Sequence, residues 1–459
     1  MSEAKQFLVA GCWGNLNDVG NLKNVLLTLH ENIKPKTKQE ILILGDNYYR
    51  EKSKEKKVTT LNLLTAAFDM LKASAGNTPI KMIAGNHDLE KQTIVVDDHG
   101  ELDTDSCVIT KNERSRSEFD DIDLKLWHKV HVADGICIVM IDSNAYLKKK
   151  DLDKLEPCYK HFDESRTKTA DQVRKDHEQN VMDAIDETIA DNNGTITNFV
   201  LCMHHPVLCL KKNKPEKHVP DKKEEKKSKK DEVEEKKDEG DKKSKKDEKK
   251  SKKDEGEEKK DEGDKKSKKG LLFELNSDIF NMYPFLSKIH EKINNANAKF
   301  IVLCADYHLY QHGIIDINDG TNKFEIEQYI VGTGGTDLDP EIPRDPTSGK
   351  VILSANCIDI SNENGAEQFA TQIHYDFGGD KTSVEAPTEN DTPPVSYVLS
   401  EYTRKHGILS CILHKTKSSK ISFDFIEAPI KVGGGGKNTT KHLYKIKRRK
   451  TKRRYPKTR

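Results

Sequence analysis

The sequence predicts a mixed α/β (α+β) fold, a four-layer α-β-β-α sandwich of two mixed sheets. Two observations support this class. Through residues 7–88, short apolar runs that break into glycine and polar residues alternate with segments of helical spacing, which is typical of parallel strands joined by helices. Further along, residues 407–413 and 420–426 alternate apolar and polar positions, as half-buried antiparallel strands do.

The individual elements follow from the same patterns. Apolar runs predict strands at 7–10, 41–44 and 80–84, a hairpin of 129–133 and 136–142, and strands at 199–203, 300–304, 329–332, 407–413 and 420–426. Helical spacing predicts helices at 21–31, 60–75 and 278–294, and charged helical sequence reaches about residue 192. Residues 89–130 are polar and irregular, and we expect a loop-rich insertion there.

Composition separates folded from unfolded segments. Of 459 residues, 34% are hydrophobic and 34% charged, which is too polar for one uniformly packed globule. Between residues 221 and 269 all but eight of 49 positions are Lys, Asp or Glu, and EEKKDEGDKKSKK occurs at 234–246 and again at 257–269. We expect one large domain formed by residues 1–210 and 271–430, with a disordered insert at 211–270 and a Gly-rich hinge and basic tail at 431–459.

The tail differs electrostatically from the rest of the chain. Residues 437–459 contain twelve Lys or Arg and no acid, although the net charge of the whole chain is only +1. Two interpretations stay open: a solubilising or nuclear-targeting tail, and a segment that binds nucleic acid or another polyanion. In composition the tail is similar to basic C-terminal tails of proteins from large DNA viruses.

Cysteine usage and the apolar runs predict a location. Nine cysteines at irregular spacing do not suggest a disulfide framework, and we expect reduced thiols. The first apolar run begins at Phe7, too early for a signal peptide, and no apolar run approaches the roughly 20 residues of a membrane span. We therefore expect an intracellular protein, cytoplasmic, nuclear or virion-associated, that is not secreted.

Polar side chains follow five of the predicted strands at their C-terminal ends. Ligands bind at these ends in open α/β sheets, so we expect the side chains to lie close together. Thiolate, carboxylate, phenolate, amide and imidazole groups bind di- and trivalent cations, and this many donors suits two metals that share a bridging carboxylate. The residues are Cys12, Asp46, Tyr49, Asn86, His87, His204, Asp306 and His308.

The motifs at these strand ends resemble those of the calcineurin-like metallophosphoesterases, and within them the purple (tartrate-resistant) acid phosphatase branch. The sequence reads GCWG at 11–14, GDNYY at 45–49, GNHD at 85–88, MHHPV at 203–207 and ADYH at 305–308. The branch reads GDWG, GDNFY, GNHD, GHYPV and GHDH in the same order. The resemblance extends from residue 7 to about residue 430, apart from the charged insert.

This resemblance implies a metallophosphoesterase-type sandwich and a role for each residue. His87 would be the general acid that protonates the leaving oxygen, and Asp88 either orients His87 or caps a turn. Two ions of iron, zinc or manganese would hold a bridging hydroxide. This hydroxide would attack a phosphate monoester, and the substrate would be a small molecule or a protein. The first metal would take Cys12, Asp46, Tyr49 and His308, and the second Asp46, Asn86, His204 and Asp306.

Two of the implied metal positions depart from the branch. Cys12 stands where the branch has Asp, and Asp306 stands where it has His. A thiolate is a softer ligand and favours zinc or iron over magnesium or manganese. The alternative is that Cys12 is only a small buried thiol and one metal site is lost. Tyr49 is likewise either a phenolate ligand, which suits ferric iron, or an ordinary packed side chain.

Two functions from different classes remain open at this level. The first is an active, metal-dependent phosphoesterase, a hydrolase of the acid phosphatase type. The second is a catalytically degenerate relative that acts as a scaffold or virion component and binds a polyanion through its basic tail. His87 favours the first function, because a general acid has no use without catalysis, whereas Cys12 and Asp306 favour the second.

Overall fold

A computed structural model describes residues 5–15, 19–34, 38–49, 58–91, 94–96, 105–119, 122–212, 273–294, 298–318, 323–348, 350–353, 357–361, 367–375, 381–385, 395–414 and 420–429. Nearly all of the predicted insert and the whole predicted tail lie outside these residues. Among the described residues, no helix is long and apolar enough to cross a membrane.

The described residues form helices and strands in an order that starts with alternating strands and helices. Helices α1 to α7 span Val19–Asn32, Leu61–Ala75, Asn86–Leu89, Val108–Phe119, Lys149–Leu155, Ala170–Asp191 and Tyr283–Asn294. Strands β1 to β20 span Lys5–Ala10, Gln39–Leu44, Val58–Thr60, Ile80–Ile83, Ile94–Val96, Ile122–Leu124, Trp127–Ala133, Ile136–Ile141, Asn198–Cys202, Cys209–Lys212, Phe273–Asn276, Lys299–Cys304, Tyr310–Asn318, Lys323–Val331, Ile358–Asp359, Glu367–Tyr375, Lys381–Glu385, Val395–Thr403, Gly407–His414 and Lys420–Glu427.

Most strands belong to two large mixed sheets. The first sheet has the strand order β20-β19-β1-β2-β4-β6, in which β1, β2, β4 and β6 are parallel and β19 and β20 are antiparallel additions. The second sheet has the order β15-β16-β18-β13-β14-β12-β9-β8-β7, and β8, β9, β12 and β14 are its parallel centre. Each sheet therefore brings several strand C-termini to one edge.

The side chains of the two sheets pack in layers. Phe7 and Val9 of β1 lie in an apolar cluster between the sheets, together with residues of β8, β9 and β12, whereas Leu8 and Ala10 face helices α1 and α2. On the far side of the second sheet, helices α6 and α7 cover strands β9 and β12. Strands buried on both faces carry continuous apolar runs rather than alternation. The predicted four-layer α-β-β-α arrangement of two mixed sheets is confirmed.

The structure corrects the predicted loop-rich insertion at 89–130. This segment contains helix α4 and the short strands β5 and β6, and β7 begins within it at Trp127. Helix α4, with the sequence VITKNERSRSEF, is mostly polar and has only a narrow apolar face. Its few apolar residues, Val108 and Ile109, pack against the first sheet, so tertiary burial rather than sequence pattern reveals the helix.

The structure also corrects the expectation that all nine cysteines are reduced. Cys107 and Cys158 form a disulfide, with their Cα atoms 5.3 Å apart. The two residues are 51 positions apart in the sequence, and nothing in their spacing predicts the pair. The other seven cysteines are free and buried.

Candidate metal centre

Three residues of the candidate centre share a backbone conformation that is rare outside glycine. Cys12, Asp46 and Asp306 have φ values of +53°, +53° and +52°, and they follow β1, β2 and β12 respectively. Non-glycine residues avoid this left-handed region because the Cβ atom crowds the backbone, and residues forced into it concentrate at functional sites. The conformation turns the three side chains into one cleft at the edges of both sheets.

Close packing of the loops keeps these turns in place. The backbone N–H of Cys12 donates to the carbonyl of Gly45 at 3.0 Å, which joins the first two strand-end loops. Gly45 has a φ of +86°, and a Cβ atom on Gly85 would lie only 2.3 Å from Oδ1 of Asp46. The glycines of the GDNYY and GNHD motifs thus allow the two loops to meet at Asp46.

The first group of donors gathers around one oxygen of Asp46. Its Oδ2 accepts a hydrogen bond from the Tyr49 hydroxyl at 2.8 Å and lies 4.0 Å from Sγ of Cys12. The Tyr49 hydroxyl is also 3.1 Å from Nε2 of His308. Donor atoms of Cys12, Asp46 and His308 all lie within 4.8 Å of one another.

The second group of donors gathers around the other oxygen of Asp46. Nε2 of His204 lies 3.4 Å from Oδ1 of Asp46, 3.7 Å from Oδ1 of Asp306 and 3.0 Å from Oδ1 of Asn86. His204 and Asp46 are almost completely buried. The two carboxylate oxygens of Asp46 therefore face two different sets of donors, and these sets come from both sheets.

Backbone carbonyls fix the tautomers of both imidazoles. Nδ1 of His204 donates to the carbonyl of Leu44 at 2.7 Å, and Nδ1 of His308 donates to the carbonyl of Asp337 at 3.1 Å. Each Nε2 is left directed at the cleft. Such outer hydrogen bonds orient histidines that bind metals.

The donors around His204 fit a bound cation. With Nδ1 protonated, a neutral His204 has a lone pair on Nε2. This lone pair faces the acceptor oxygens of Asn86, Asp46 and Asp306. Acceptors repel one another, so a proton or a cation must lie among these atoms. Burial disfavours charge on His204, but Asp46 and Asp306 outweigh it and raise the pKa of the imidazole. A metal ion can replace this proton, because metal binding displaces protons from its ligands.

His87 lies at the rim of the cleft. Its backbone N–H donates to Oδ1 of Asp46 at 3.2 Å, its ring lies 4.9 Å from the ring of Tyr49, and its Nδ1 is 3.6 Å from Oε2 of Glu90. Burial favours the neutral ring, but Asp46 and Glu90 outweigh it and raise the pKa of His87 to about 9. The side chain is 40% exposed, so a substrate can reach it.

Asp88 lies behind the cleft, where it joins two loops. Its Oδ1 accepts from the backbone N–H groups of Asn47 and Tyr48 at 2.8 and 3.1 Å, and its Oδ2 accepts from Gly85 N–H at 2.7 Å. These bonds tie the GDNYY loop to the GNHD loop. The carboxylate nearest to Nδ1 of His87 belongs to Glu90, and the orientation of His87 by Asp88 stays a prediction.

Glu113 is a member of this region that the sequence did not reveal. It is fully buried on α4, and burial together with the charge of Asp88 raises the pKa of Glu113 well above its usual range. The raised pKa favours the protonated, uncharged form of this buried carboxyl. No motif marks Glu113, since only the packing of α4 brings it behind the loops.

His205, the neighbour of the predicted ligand His204, is the second residue of this region that the sequence did not reveal. The structure places it with His204 and Asp306, with donor atoms of all three within 4.8 Å of one another. Nδ1 of His205 lies 3.0 Å from the Ser143 hydroxyl, which holds the ring. Burial lowers the pKa of His205 to about 4, so the imidazole is neutral at neutral pH.

Comparison with protein-family models agrees with this fold. Residues 5–226 match the model of the calcineurin-like phosphoesterase family. The coarser part of the motif-based resemblance is thereby confirmed, and this stretch carries a calcineurin-like phosphoesterase domain. The match includes the GCWG, GDNYY, GNHD and MHHPV motifs. Asp306 and His308 lie beyond the matched residues, after strand β12, which pairs with β9 in the second sheet.

The remaining comparisons add little. No curated protein matches the chain significantly. A solved structure titled "GAP50 the anchor in the inner membrane complex of Plasmodium" is similar at a TM-score of 0.36 and 9% identity, over 93% of this chain and 90% of that chain.

Proposed function

We propose that this chain is a metal-dependent phosphoesterase that hydrolyses phosphate monoesters at a centre for two metal ions. The observation that carries the proposal is the position of Asp46, whose Oδ2 lies 2.8 Å from the Tyr49 hydroxyl while Oδ1 lies 3.4 Å from Nε2 of His204. A carboxylate that presents one oxygen to each of two donor sets is suited to bridge two cations.

The proposed ligands follow from the two donor sets. Cys12, Asp46, Tyr49 and His308 would hold the first ion, and Asp46, Asn86, His204 and Asp306 the second. His205 is a further candidate for the second ion, because it brings an imidazole to the side of the site where Asp306 replaces the histidine of the purple acid phosphatase branch. Iron and zinc suit a set that contains a thiolate, and manganese is the third candidate. When bound, the two ions polarise the phosphoryl group and lower the pKa of a water molecule.

The protein side chains would supply positioning and proton transfer. His87 lies at the exposed rim of the cleft with a raised pKa, and the protonated ring would donate to the leaving oxygen of the ester. Asp88 would keep the loops that carry Asp46, Asn86 and His87 in register through its bonds to Gly85 and Asn47. The GDNYY, GNHD and HHPV motifs support a place in the purple acid phosphatase branch. The proposed substrate is a phosphorylated small molecule or protein.

Metal analysis and an activity assay test this proposal together. We expect the purified full-length chain to hold two metal ions and to hydrolyse a generic aryl phosphate. The Asp46→Asn variant should lose both ions and the activity, because the amide leaves one oxygen for two cations. Asp163→Asn, a carboxylate on an exposed turn, is the matched control. A wild-type chain that hydrolyses the ester without bound metal would exclude the mechanism.

A second candidate function rests on the tail, with twelve basic residues and no acid among residues 437–459. In this proposal the chain binds nucleic acid or another polyanion as a scaffold or virion component. Several phosphate contacts would make binding strongly dependent on salt and independent of sequence. Deletion of residues 437–459 should abolish retention on DNA without a change in phosphatase turnover. Retention that survives the deletion would place the binding elsewhere in the chain.

A further inference from the structure

A cluster of potential metal ligands lies outside the candidate metal centre, at the N-terminal end of helix α4. It consists of Asp105, Cys107, Cys158 and His161, and we call it the α4 cluster. The carboxylate, sulfur and imidazole donor atoms of Asp105, Cys107 and His161 all lie within 4.8 Å of one another. Cys158 is the disulfide partner of Cys107, so its sulfur is bonded to one of these donors.

Two short segments bring these residues together. Asp105 and Cys107 directly precede α4, and Cys158 and His161 lie in the 3₁₀ helix Glu156–Phe162, three positions apart. The spacings Asp-x-Cys and Cys-x-x-His are short enough for each segment to supply two donors to one ion. Two thiolates, one imidazole and one carboxylate are ligands that zinc accepts in tetrahedral geometry.

The disulfide accounts for both sulfur atoms but leaves the histidine unexplained. The His161 side chain is only 9% exposed, and its Nε2 lies 3.1 Å from Oδ2 of Asp105 without the geometry of a hydrogen bond. Oδ1 of Asp105 already accepts from the backbone N–H of Cys107 and from Lys160, at 2.9 and 3.0 Å. Nε2 of His161 is therefore a buried ring nitrogen that lies beside a carboxylate oxygen and makes no hydrogen bond among the described residues.

The charges around the cluster suit a zinc complex. Two thiolates and one carboxylate around Zn²⁺ carry a net negative charge, and Lys160, Arg166 and Lys111 are close enough to act electrostatically on His161. The neutral imidazole is the form of His161 that would bind the metal.

We propose that the α4 cluster is a zinc site that alternates with the Cys107–Cys158 disulfide according to the redox state. A thiol reductant transfers two electrons to the disulfide and leaves as its own disulfide, and the cluster gains two thiol groups. Zn²⁺ then binds both sulfurs together with Nε2 of His161 and Oδ2 of Asp105, and two protons are released.

Either cross-link would tether the start of α4 to the 3₁₀ helix. Helix α4 carries Thr110, whose hydroxyl donates to the carbonyl of Asp88 at 2.6 Å, and Glu113, which faces the Asp88 carboxyl. The cluster thus holds the helix that supports the GNHD loop in both redox states. This site does not depend on the proposed phosphoesterase function.

Zinc stoichiometry in the two redox states tests the proposal. The full-length chain is reduced with an excess of a dithiol, which is then removed anaerobically, and bound zinc is counted after equilibration with the metal. We expect the reduced chain to hold about one equivalent more zinc than the oxidised chain. With Co²⁺ in a Cys12→Ser background, reduction should produce the absorption bands of tetrahedral cobalt with thiolate ligands.

Variants separate the cluster from other metal sites. His161→Ala keeps both cysteines and should lose the additional zinc and the cobalt bands while still forming the disulfide, as measured by thiol alkylation and mass spectrometry. Cys158→Ser should lose both the disulfide and the zinc. Cys137→Ser, a buried thiol in β8, is the matched control and should change neither. Equal zinc in the reduced and oxidised chains, or additional zinc that survives His161→Ala, would overturn the proposal.

Discussion

The thiol of Cys12 is the softest donor in the candidate metal centre, among oxygen and nitrogen atoms. Burial and the charges of Asp46 and Asp306 raise the pKa of Cys12 well above its usual range. The group therefore becomes a thiolate only when a bound cation compensates its charge. Zinc and iron bind thiolate more strongly than magnesium does, so this residue should set the metal preference of the site.

The first prediction concerns the substitution Cys12→Asp. The variant restores the carboxylate of the purple acid phosphatase branch, and we expect the activity of the reconstituted enzyme to shift from zinc or iron towards manganese or magnesium. Metal content and turnover with each ion check this expectation. Cys411→Ser removes a buried thiol from the same apolar layer away from the cleft, and should leave the preference unchanged. An unchanged preference in Cys12→Asp would mean that Cys12 is only a packed thiol.

The second prediction concerns His87, the proposed general acid. His87→Ala should lower turnover by about 10² to 10⁴ and leave both metal ions bound, because the ring protonates the leaving oxygen without being a ligand. Turnover of an aryl phosphate and metal content of the same preparation measure the two effects. A variant with full metal content and wild-type turnover would remove His87 from the mechanism.

The third prediction uses the neighbour of His87 to move its titration. The active form is the protonated ring, so activity should fall as the pH rises through the pKa of His87. The Glu90 carboxylate, 3.6 Å away, helps to raise this pKa, and its influence remains when bound cations offset the charge of Asp46. Glu90→Gln should therefore move the alkaline limb of the kcat profile to lower pH. An alkaline limb that stays in place would assign the titration to another group.

Among single residues, the donors that follow apolar strands are predictable from the sequence, whereas those brought in by packing are not. Cys12, Asp46 and Asp306 each follow a buried strand at the edge of a sheet, so their convergence follows from topology alone. Glu113 reaches the site from a polar helix, and His205 is distinguished from a packed neighbour only by its distance to Asp306. Neither contact can be predicted from the spacing of apolar residues in the sequence.

At the scale of elements, the same distinction separates predicted strands from missed ones. Strands β2, β9 and β12 are buried on both faces and appear as continuous apolar runs. Strand β13, YQHGIIDIN, alternates buried and half-buried positions. Because several of its residues are polar, it has no continuous apolar run from which a strand could be predicted. Strand β18 is similar, with an exposed second half. Their place in the second sheet depends on antiparallel pairing with each other, a long-range contact.

The fourth prediction concerns helix α6 and the pH dependence of stability. Burial lowers the pKa of His177 to about 4, while its Nε2 donates to the carbonyl of Leu126 at 2.9 Å. In the unfolded chain the ring has a pKa of about 6.5, so between these values the unfolded state binds the additional proton and stability falls as the pH falls. The loss between pH 7 and pH 5 is about 2 kcal/mol for this group.

Urea unfolding of His177→Gln at the two pH values tests this account. The variant should lose less stability than wild type on acidification, because it has no ring to protonate. Thr188→Val, on the same helix, removes a buried hydroxyl that does not titrate and should destabilise equally at both pH values. Identical pH slopes for wild type and His177→Gln would show that another group dominates acid unfolding.

At the scale of the whole molecule, the candidate metal centre lies where the two sheets meet. Cys12, Asp46 and Asn86 follow strands of the first sheet, whereas His204, Asp306 and His308 follow strands of the second. The two sheets are held together by the apolar layer between them, which contains residues of β1, β9 and β12. Bound cations would therefore cross-link the two sheets at one end of this layer.

The last prediction is that removal of the metals destabilises the whole domain. A ligand that binds only the folded state stabilises it by about 3 to 4 kcal/mol at 100 to 1,000 times its Kd, so a chelator should lower the unfolding midpoint cooperatively. The oxidised protein is the appropriate sample, because its Cys107–Cys158 disulfide keeps the α4 cluster from contributing zinc. Asp46→Asn should abolish the chelator-dependent shift, and Asp163→Asn should retain it. A wild-type midpoint that does not respond to the chelator would show that the sheets are held by the apolar layer alone and that the donors of Asp46 bind no metal in the folded chain.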